Sequence, residues 1–338
     1  MSQRKIAYAT IMLAASFCAS RAAQPAATYT VFDPPNSEYT YPMGIADGVI
    51  GGSFQDTSGF THGFVRATDG TITTFDPTGS INGTFVTSVN DSGTIVGYYT
   101  DSHYSGHAFA RAANGTITDA GPTGAAASYA YGVNKKGAIA GYFEDSASAW
   151  HGFVSNAHGK IQTFDVKGAS FVAVSGLNDD GGVSGFYRDA KSVTHGFMRS
   201  GDGKIAKFDP SGSSFTSPNA INKAGMVIGY YNDSGNVAHG FLRDAAGTIT
   251  SFDPTGSIGT YATGVNDSGQ IVGYYLDANY GVHGFERLKN GRIHSFDPPN
   301  SNGTYGQTAD SSHMDYRAVI GFYDDGDFLA HGFVRMSH

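Results

Sequence analysis

The chain has 338 residues, of which 40% are hydrophobic, 13% aromatic and only 15% charged. That is enough apolar surface for a real core and too little charge for a coiled coil or a disordered tail. The formal net charge of −8 gives the chain no electrostatic reason to seek nucleic acid or anionic membranes, so neutral or cationic partners fit better.

In chain order, the first feature is a leader. Arg4 and Lys5 precede an apolar run from Ile6 to Ala19, too short to span a bilayer, and Ser20-Arg21-Ala22-Ala23 offers small residues to a signal peptidase. Residues 1–22 therefore read as a cleaved secretory signal, which makes the mature protein secreted or periplasmic. Cleavage removes three basic residues and the only cysteine, Cys18. Disulfides, thiol catalysis and cysteine-held metals are then excluded. Phe17 stands where a lipobox needs a small residue, which argues against a lipid anchor. No later apolar stretch approaches membrane length, so no membrane insertion is expected.

The remainder, residues 28–335, is repetitive. His-Gly-Phe, once His-Ala-Phe, begins at His62, His107, His151, His195, His239, His283 and His331, with spacings of 45, 44, 44, 44, 44 and 48 residues. Phe-Asp-Pro or a relative begins at Phe32, Phe75, Phe164, Phe208, Phe252 and Phe296, with a degenerate copy at Ala120-Gly121. Glycine followed by two mostly aromatic residues recurs too, and Gly52-Ser53-Phe54 is its weakest copy. The sixth unit shows four short strand candidates, 248–252, 261–265, 271–275 and 283–287, separated by turn signals such as Asn266-Asp267-Ser268-Gly269. The 47 glycines, against 11 prolines, serve those turns. Four strands per ~44 residues, seven times over, predict an all-β, seven-bladed β-propeller in a single domain. The N-terminal strand, Thr28 to Phe32, should pair with the C-terminal one, His331 to Arg335, and close the ring with no free sheet edge. The stretch with the smallest side chains, as in 261–265, should be the innermost strand, with the Phe-Asp-Pro strand outermost.

These markers resemble the HAF family, extracellular repeat proteins of bacteria named for His-Ala-Phe. His107-Ala108-Phe109 is that tripeptide, and residues 266–275, Asn-Asp-Ser-Gly-Gln-Ile-Val-Gly-Tyr-Tyr, are similar to the rest of the repeat. The resemblance runs from Thr28 to Arg335 and implies a repeat propeller outside the cytoplasm, without implying any particular activity.

The most regular polar feature is an aspartate six residues before each histidine: Asp56, Asp101, Asp145, Asp189, Asp233, Asp277 and Asp325. One reaction needs one site, whereas a fold device is needed in every blade, so these pairs read as hairpin clamps rather than catalytic groups. The Phe-Asp-Pro aspartates (Asp33, Asp76, Asp165, Asp209, Asp253 and Asp297) read as loop openers that cap local amides. The Asn-Asp-Ser-Gly turns lack a distal bidentate glutamate and read as hairpins rather than calcium loops. No metal and no cofactor is expected.

Function is expected where the repeats differ. Rim aromatics at the start of the inner strands (Tyr41, Phe85, Tyr129, Phe171, Phe215, Tyr261, Tyr305) and on neighbouring hairpins (Phe60, Tyr104, Trp150, Tyr280, Phe328) could stack sugar rings or pack between blades. The third outer-strand marker is lost at Asp119-Ala120-Gly121-Pro122, and the last unit carries an insertion around Asp310 to Arg317. Three readings follow: a monomeric, non-catalytic binding module for glycan or cell-surface ligands; a carbohydrate or lactone lyase or hydrolase using residues such as His103, His158, His313 or Glu144; and a passive envelope protein. The fold alone does not choose among them.

Overall fold

The computed structural model describes residues 27–310 and 317–337. The expected leader lies outside the described residues, as do His313, Asp315 and Tyr316 of the insertion and the side chain of Arg317. Among the described residues all regular structure is β, and no helix is long and apolar enough to cross a membrane.

The chain opens with β1 (Thr28–Phe32). There follow β2 (Ser37–Ala46), β3 (Val49–Asp56), β4 (Thr61–Arg66) and β5 (Ile72–Phe75), then β6 (Thr84–Val89), β7 (Ile95–Thr100), β8 (Gly106–Arg111) and β9 (Ile117–Asp119). Next come β10 (Ala127–Val133), β11 (Ile139–Glu144), β12 (Trp150–Ser155) and β13 (Ile161–Phe164), and β14 (Phe171–Leu177), β15 (Val183–Arg188), β16 (Thr194–Arg199) and β17 (Ile205–Phe208). The last groups are β18 (Phe215–Ile221), β19 (Val227–Asn232), β20 (Ala238–Arg243) and β21 (Ile249–Phe252); β22 (Ser257–Val265), β23 (Ile271–Asp277), β24 (Val282–Arg287) and β25 (Ile293–Phe296); and β26 (Gly303–Ala309), β27 (Arg317–Asp324) and β28 (Ala330–Ser337).

Each group is an antiparallel meander. Four of them are separate four-stranded sheets, while β22–β25, β26–β28 and β2–β5 are joined into one larger sheet by the single parallel bridges Val282–Gly303 and Tyr39–Ala330. β1 pairs antiparallel with β28, from Thr28–Met336 to Phe32–Gly332. The inner strand β2 lies against both β6 and β26. These repeated four-stranded sheets form a propeller-type all-β fold.

The core explains the markers. The Phe of each His-Gly-Phe copy is buried, from Phe64 to Phe333. It meets the outer-strand Phe of the preceding group edge-on: Phe75–Phe109 at 5.9 Å, Phe208–Phe241 at 5.9 Å, and Phe32–Phe64 at 6.0 Å. An arginine closing the third strand then covers that outer ring, as Arg111 does over Phe75 at 4.9 Å and Arg66 over Phe32 at 5.1 Å. The central glycine is forced by the same ring, since a Cβ on Gly63 would meet the Phe75 ring at 2.6 Å. The His-Ala-Phe copy escapes this limit because Ala120 replaces the ring there and pairs with Ala108. Ser155 stands in the arginine's place at that same joint.

Candidate functional site

Six of the seven histidines are gripped from both sides, His107 being the exception, and the tighter partner is not the one expected from sequence. His Nδ1 meets the Phe-Asp-Pro carboxylate fourteen residues later at 2.6–2.8 Å: His62–Asp76, His151–Asp165, His195–Asp209, His239–Asp253 and His283–Asp297. His331 makes the same contact with Asp33 across the β1–β28 pairing, at 2.8 Å. These carboxylates therefore reach a histidine instead of only capping local amides. In three copies they also accept a hydroxyl, from Thr40 to Asp33, Thr84 to Asp76 and Thr216 to Asp209, at 2.6–2.7 Å.

The aspartate six residues before each histidine lies at 3.0–3.6 Å from Nε2: Asp56, Asp101, Asp145, Asp189, Asp233, Asp277 and Asp325. Its Oδ1 instead accepts amides of its own turn, as Asp233 does from Gly235 and Val237. Hydrogen bonds hold these carboxyls low. Asp56 falls to about 2, first through the Ser58 hydroxyl, and Asp101 to about 2, first through His107. Burial depresses His151, His239, His283 and His331, but their aspartate partners outweigh it and raise them. Among the described residues no three His, Cys, Asp or Glu side chains converge as metal ligands.

The axis is where the groups differ. Every inner strand carries a register shift at the same place, and the extra residue is Met43, Thr87, Tyr131, Ser175, Asn219, Thr263 or Gln307. A bulge re-aims its extra side chain, and all seven line a central cavity of about 420 Å³. Thr87, Thr263 and Asn219 are spent on carbonyls of the next group, Ala130, Gly306 and Ala262. Among the described residues Tyr131, Ser175 and Gln307 make no such bond to the next group, and Tyr131 instead meets the hydroxyl of Tyr142 in its own group. At one end of the axis a ladder of side-chain amides runs Asn90 to Asn134, Asn178, Asn222 and Asn266, each donating to the next backbone carbonyl at 2.8–3.1 Å. Asn266 reaches Asp310 O at 3.5 Å, and Asp310 Oδ2 accepts the amide of Gly48.

Around the cavity runs a belt of rings. Tyr98 lies between Phe85 and Tyr129, Tyr142 between Tyr129 and Phe171, Tyr274 between Tyr261 and Tyr305, and Phe322 between Tyr305 and Tyr41, at 4.6–6.0 Å. Burial pushes the phenols of Tyr98 and Tyr142 far up, and that of Tyr274 to about 12, so they serve as neutral rings and hydroxyl donors. The belt is broken at Ser53, which pairs with Tyr41 where Tyr98, Tyr142, Phe186, Tyr230, Tyr274 and Phe322 stand elsewhere. A second cavity of about 330 Å³ opens at that notch, lined by Tyr41, Phe85, Tyr98 and Tyr131 with the polar Gln55 and Thr61. It shares Met43, Thr87 and Tyr131 with the axial cavity.

Of the rim aromatics, Tyr41, Phe85, Tyr129, Tyr261 and Tyr305 are half-buried in this belt. Phe171 and Phe215 sit two positions further out than these, opposite Arg188 and Asn232, leaving the small Ala173 and Ser217 at the ring position. Trp150 is half-buried against Phe171, Tyr142 and Tyr129 at 5.2–6.1 Å. Tyr104 and Tyr280 are 75% exposed at hairpin tips, with φ of 62° and 65°. Of the residues named for acid–base chemistry, the described ones, His103, Glu144 and His158, do not converge. His103 and Glu144 belong to second-to-third-strand hairpins, and His158 lies in a third-to-fourth-strand turn at the opposite ends of the strands. Ser53, Gln55 and Tyr131 were not singled out from sequence, although the weak Gly52-Ser53-Phe54 copy marks the notch.

No protein-family model matches the chain, and no curated protein sequence does. Solved structures do. Virginiamycin B lyase from Staphylococcus aureus aligns at a TM-score of 0.57 and 11% identity, covering 91% of this chain and 99% of that one. BP39L lectin from Burkholderia pseudomallei aligns at 0.54 and 11%, covering 92% and 96%. The polysaccharide lyase Uly1 aligns at 0.51 and 11%, covering 90% of each chain. At such identities the likeness shows a shared β-propeller fold and nothing of the chemistry.

Proposed function

We propose that this chain is an exported, seven-bladed propeller of the HAF type that binds glycans as a monomer, without catalysing a reaction on them. The observation that carries the reading is the notch at Ser53, where four aromatic rings and the side chain of Gln55 border a cavity that shares Met43, Thr87 and Tyr131 with the axial one. Rings beside hydroxyls and amides match a sugar, which presents a C–H face and a hydroxyl edge. The lectin and the polysaccharide lyase among the similar structures are compatible with such a ligand. Seven closed blades are supported by β1–β28 pairing and by a Phe32–Phe64 joint that repeats the interior geometry. Export is supported by the leader composition of residues 1–22.

The test is a glycan array with protein lacking residues 1–22, beside Ser53→Tyr. Filling the notch with a ring, as the six other groups do, should abolish binding while the melting temperature stays within a few degrees. An array hit retained in full by S53Y would sink the notch as the site.

A further inference from the structure

The clamp of the second group differs from the other six in a coordinated way. Fourteen residues after His107 stands Gly121, where the others place the aspartate that meets His Nδ1. Ser128 takes the place of the threonine that in three of the others donates to that aspartate, and Ala120, Ala108 and Ser155 replace the surrounding Phe, Gly and Arg. His107 keeps only its first partner, with Nε2 at 3.0 Å from Asp101, the shortest such contact of the seven. Its side chain is 40% exposed, against 23–31% for the other six.

Six copies of one fold device thus show what this position is built to receive. In each, a carboxylate oxygen rests 2.6–2.8 Å from His Nδ1. We propose that His107 Nδ1 and the Ser128 hydroxyl form a binding slot for the carboxylate of an acidic sugar, such as a uronic acid, in place of the chain's own aspartate. Ser128 Oγ accepts the Ala108 amide at 2.9 Å, which leaves its own proton to donate. It lies 2.4 Å from where a Cβ on Gly121 would stand, at the root of the slot. Tyr104, on the same hairpin as His107, offers an exposed ring for the sugar's C–H face.

Asp101 holds Nε2, Tyr99 stacks on the imidazole at 5.0 Å, and Asp119 borders the slot with its Oδ1 accepting the Gly121 amide. Asp119 and the net charge of −8 oppose an anion, and salt at ~0.15 M screens the long-range part of that repulsion.

The site is separate from the Ser53 notch, and the test keeps the two apart. Ligand-observed saturation-transfer NMR with glucuronate, acetate and glucose is recorded on the mature chain. Glucuronate and acetate should receive saturation, and glucose should receive none through this slot. G121D/S128T restores the aspartate and threonine of the other clamps, with a shift of the backbone because a Cβ at 121 meets Ser128 Cβ at 2.8 Å, and should reduce the glucuronate signal on the order of tenfold, as expected when a charge-assisted pair is removed. S53Y should leave that signal unchanged. Asp119→Asn should increase it. If the double variant fails to fold, H107Q takes its place and should lose the signal equally. Equal signals from glucuronate and glucose on S53Y, where the notch is filled, or a glucuronate signal that survives G121D/S128T or H107Q, would overturn the proposal.

Discussion

Phe32→Ala tests ring closure at a single side chain. Phe32 is 7% exposed, meets Phe64 at 6.0 Å, lies under Arg66 at 5.1 Å and packs with Ile50 and Ile320. Removing so buried a ring costs ~3–5 kcal/mol through lost transfer energy and the cavity left behind. Its neighbour Val31 faces solvent, and Val31→Ala should cost under ~0.5 kcal/mol. The interior counterpart is Phe296, 5% exposed, which meets Phe333 at 6.1 Å and lies under Arg335 at 4.8 Å. If the join between chain ends is as tight as an interior joint, Phe32→Ala and Phe296→Ala should destabilise alike, within ~1 kcal/mol. Deleting β1 outright is a blunter probe, because it also relieves the ordering cost of ~1–2 kcal/mol per residue. Urea unfolding followed by circular dichroism, with unchanged m-values, reads the difference. A Phe32→Ala cost below ~1 kcal/mol beside a full cost for Phe296→Ala would mean that β1 frays and the ring is open.

Three further outcomes are expected. His195→Ala should destabilise by ~1–3 kcal/mol, because Asp209 loses a partner at 2.7 Å, while glycan binding persists in the folded fraction; loss of binding without loss of stability would contradict the clamp reading. Stability should peak between about pH 4 and pH 6.5. Asp56 and Asp101, held low, lose their contribution as pH falls through their folded values, and His151, His239, His283 and His331, held high, lose theirs as pH rises through theirs. A melting temperature flat from pH 5 to pH 9 would count against the histidine part. Trp150→Ala should cost ~2–3 kcal/mol, less than a fully buried ring, because Trp150 packs on Phe171, Tyr142 and Tyr129; an unchanged melt would instead make it a free surface platform.

The strands were legible because each is bracketed by a turn signal and a marker with its own packing partner. In the sixth group the stretches expected at 271–275 and 283–287 fall within β23 and β24. The second aspartate of each clamp was misread because Asp-Pro is a strong local turn signal, yet the constant spacing of fourteen from His62 to Asp76 and from His195 to Asp209 was there to count. Counting back from Asn178 and Asn222 would likewise have found Ala173 and Ser217 in place of Phe171 and Phe215. The bulged axial residues were not legible. A bulge exists only between two strands, and one strand's sequence does not show which residue its partner skips.

The asparagine ladder has an evolutionary corollary. Each amide points the same way round the axis, from Asn90 towards Asn266, so a group taken from the middle carries both a donor for the next group and an acceptor for the previous one. Tandem duplication or deletion of such a group leaves the series self-consistent. The final group is different, since Asp310 offers a carboxylate to the Gly48 amide and ends the series. For this ladder alone interior groups are therefore interchangeable, whereas Asp310 has no side-chain N–H to donate and a copy of the last group placed inward would interrupt the chain of donors.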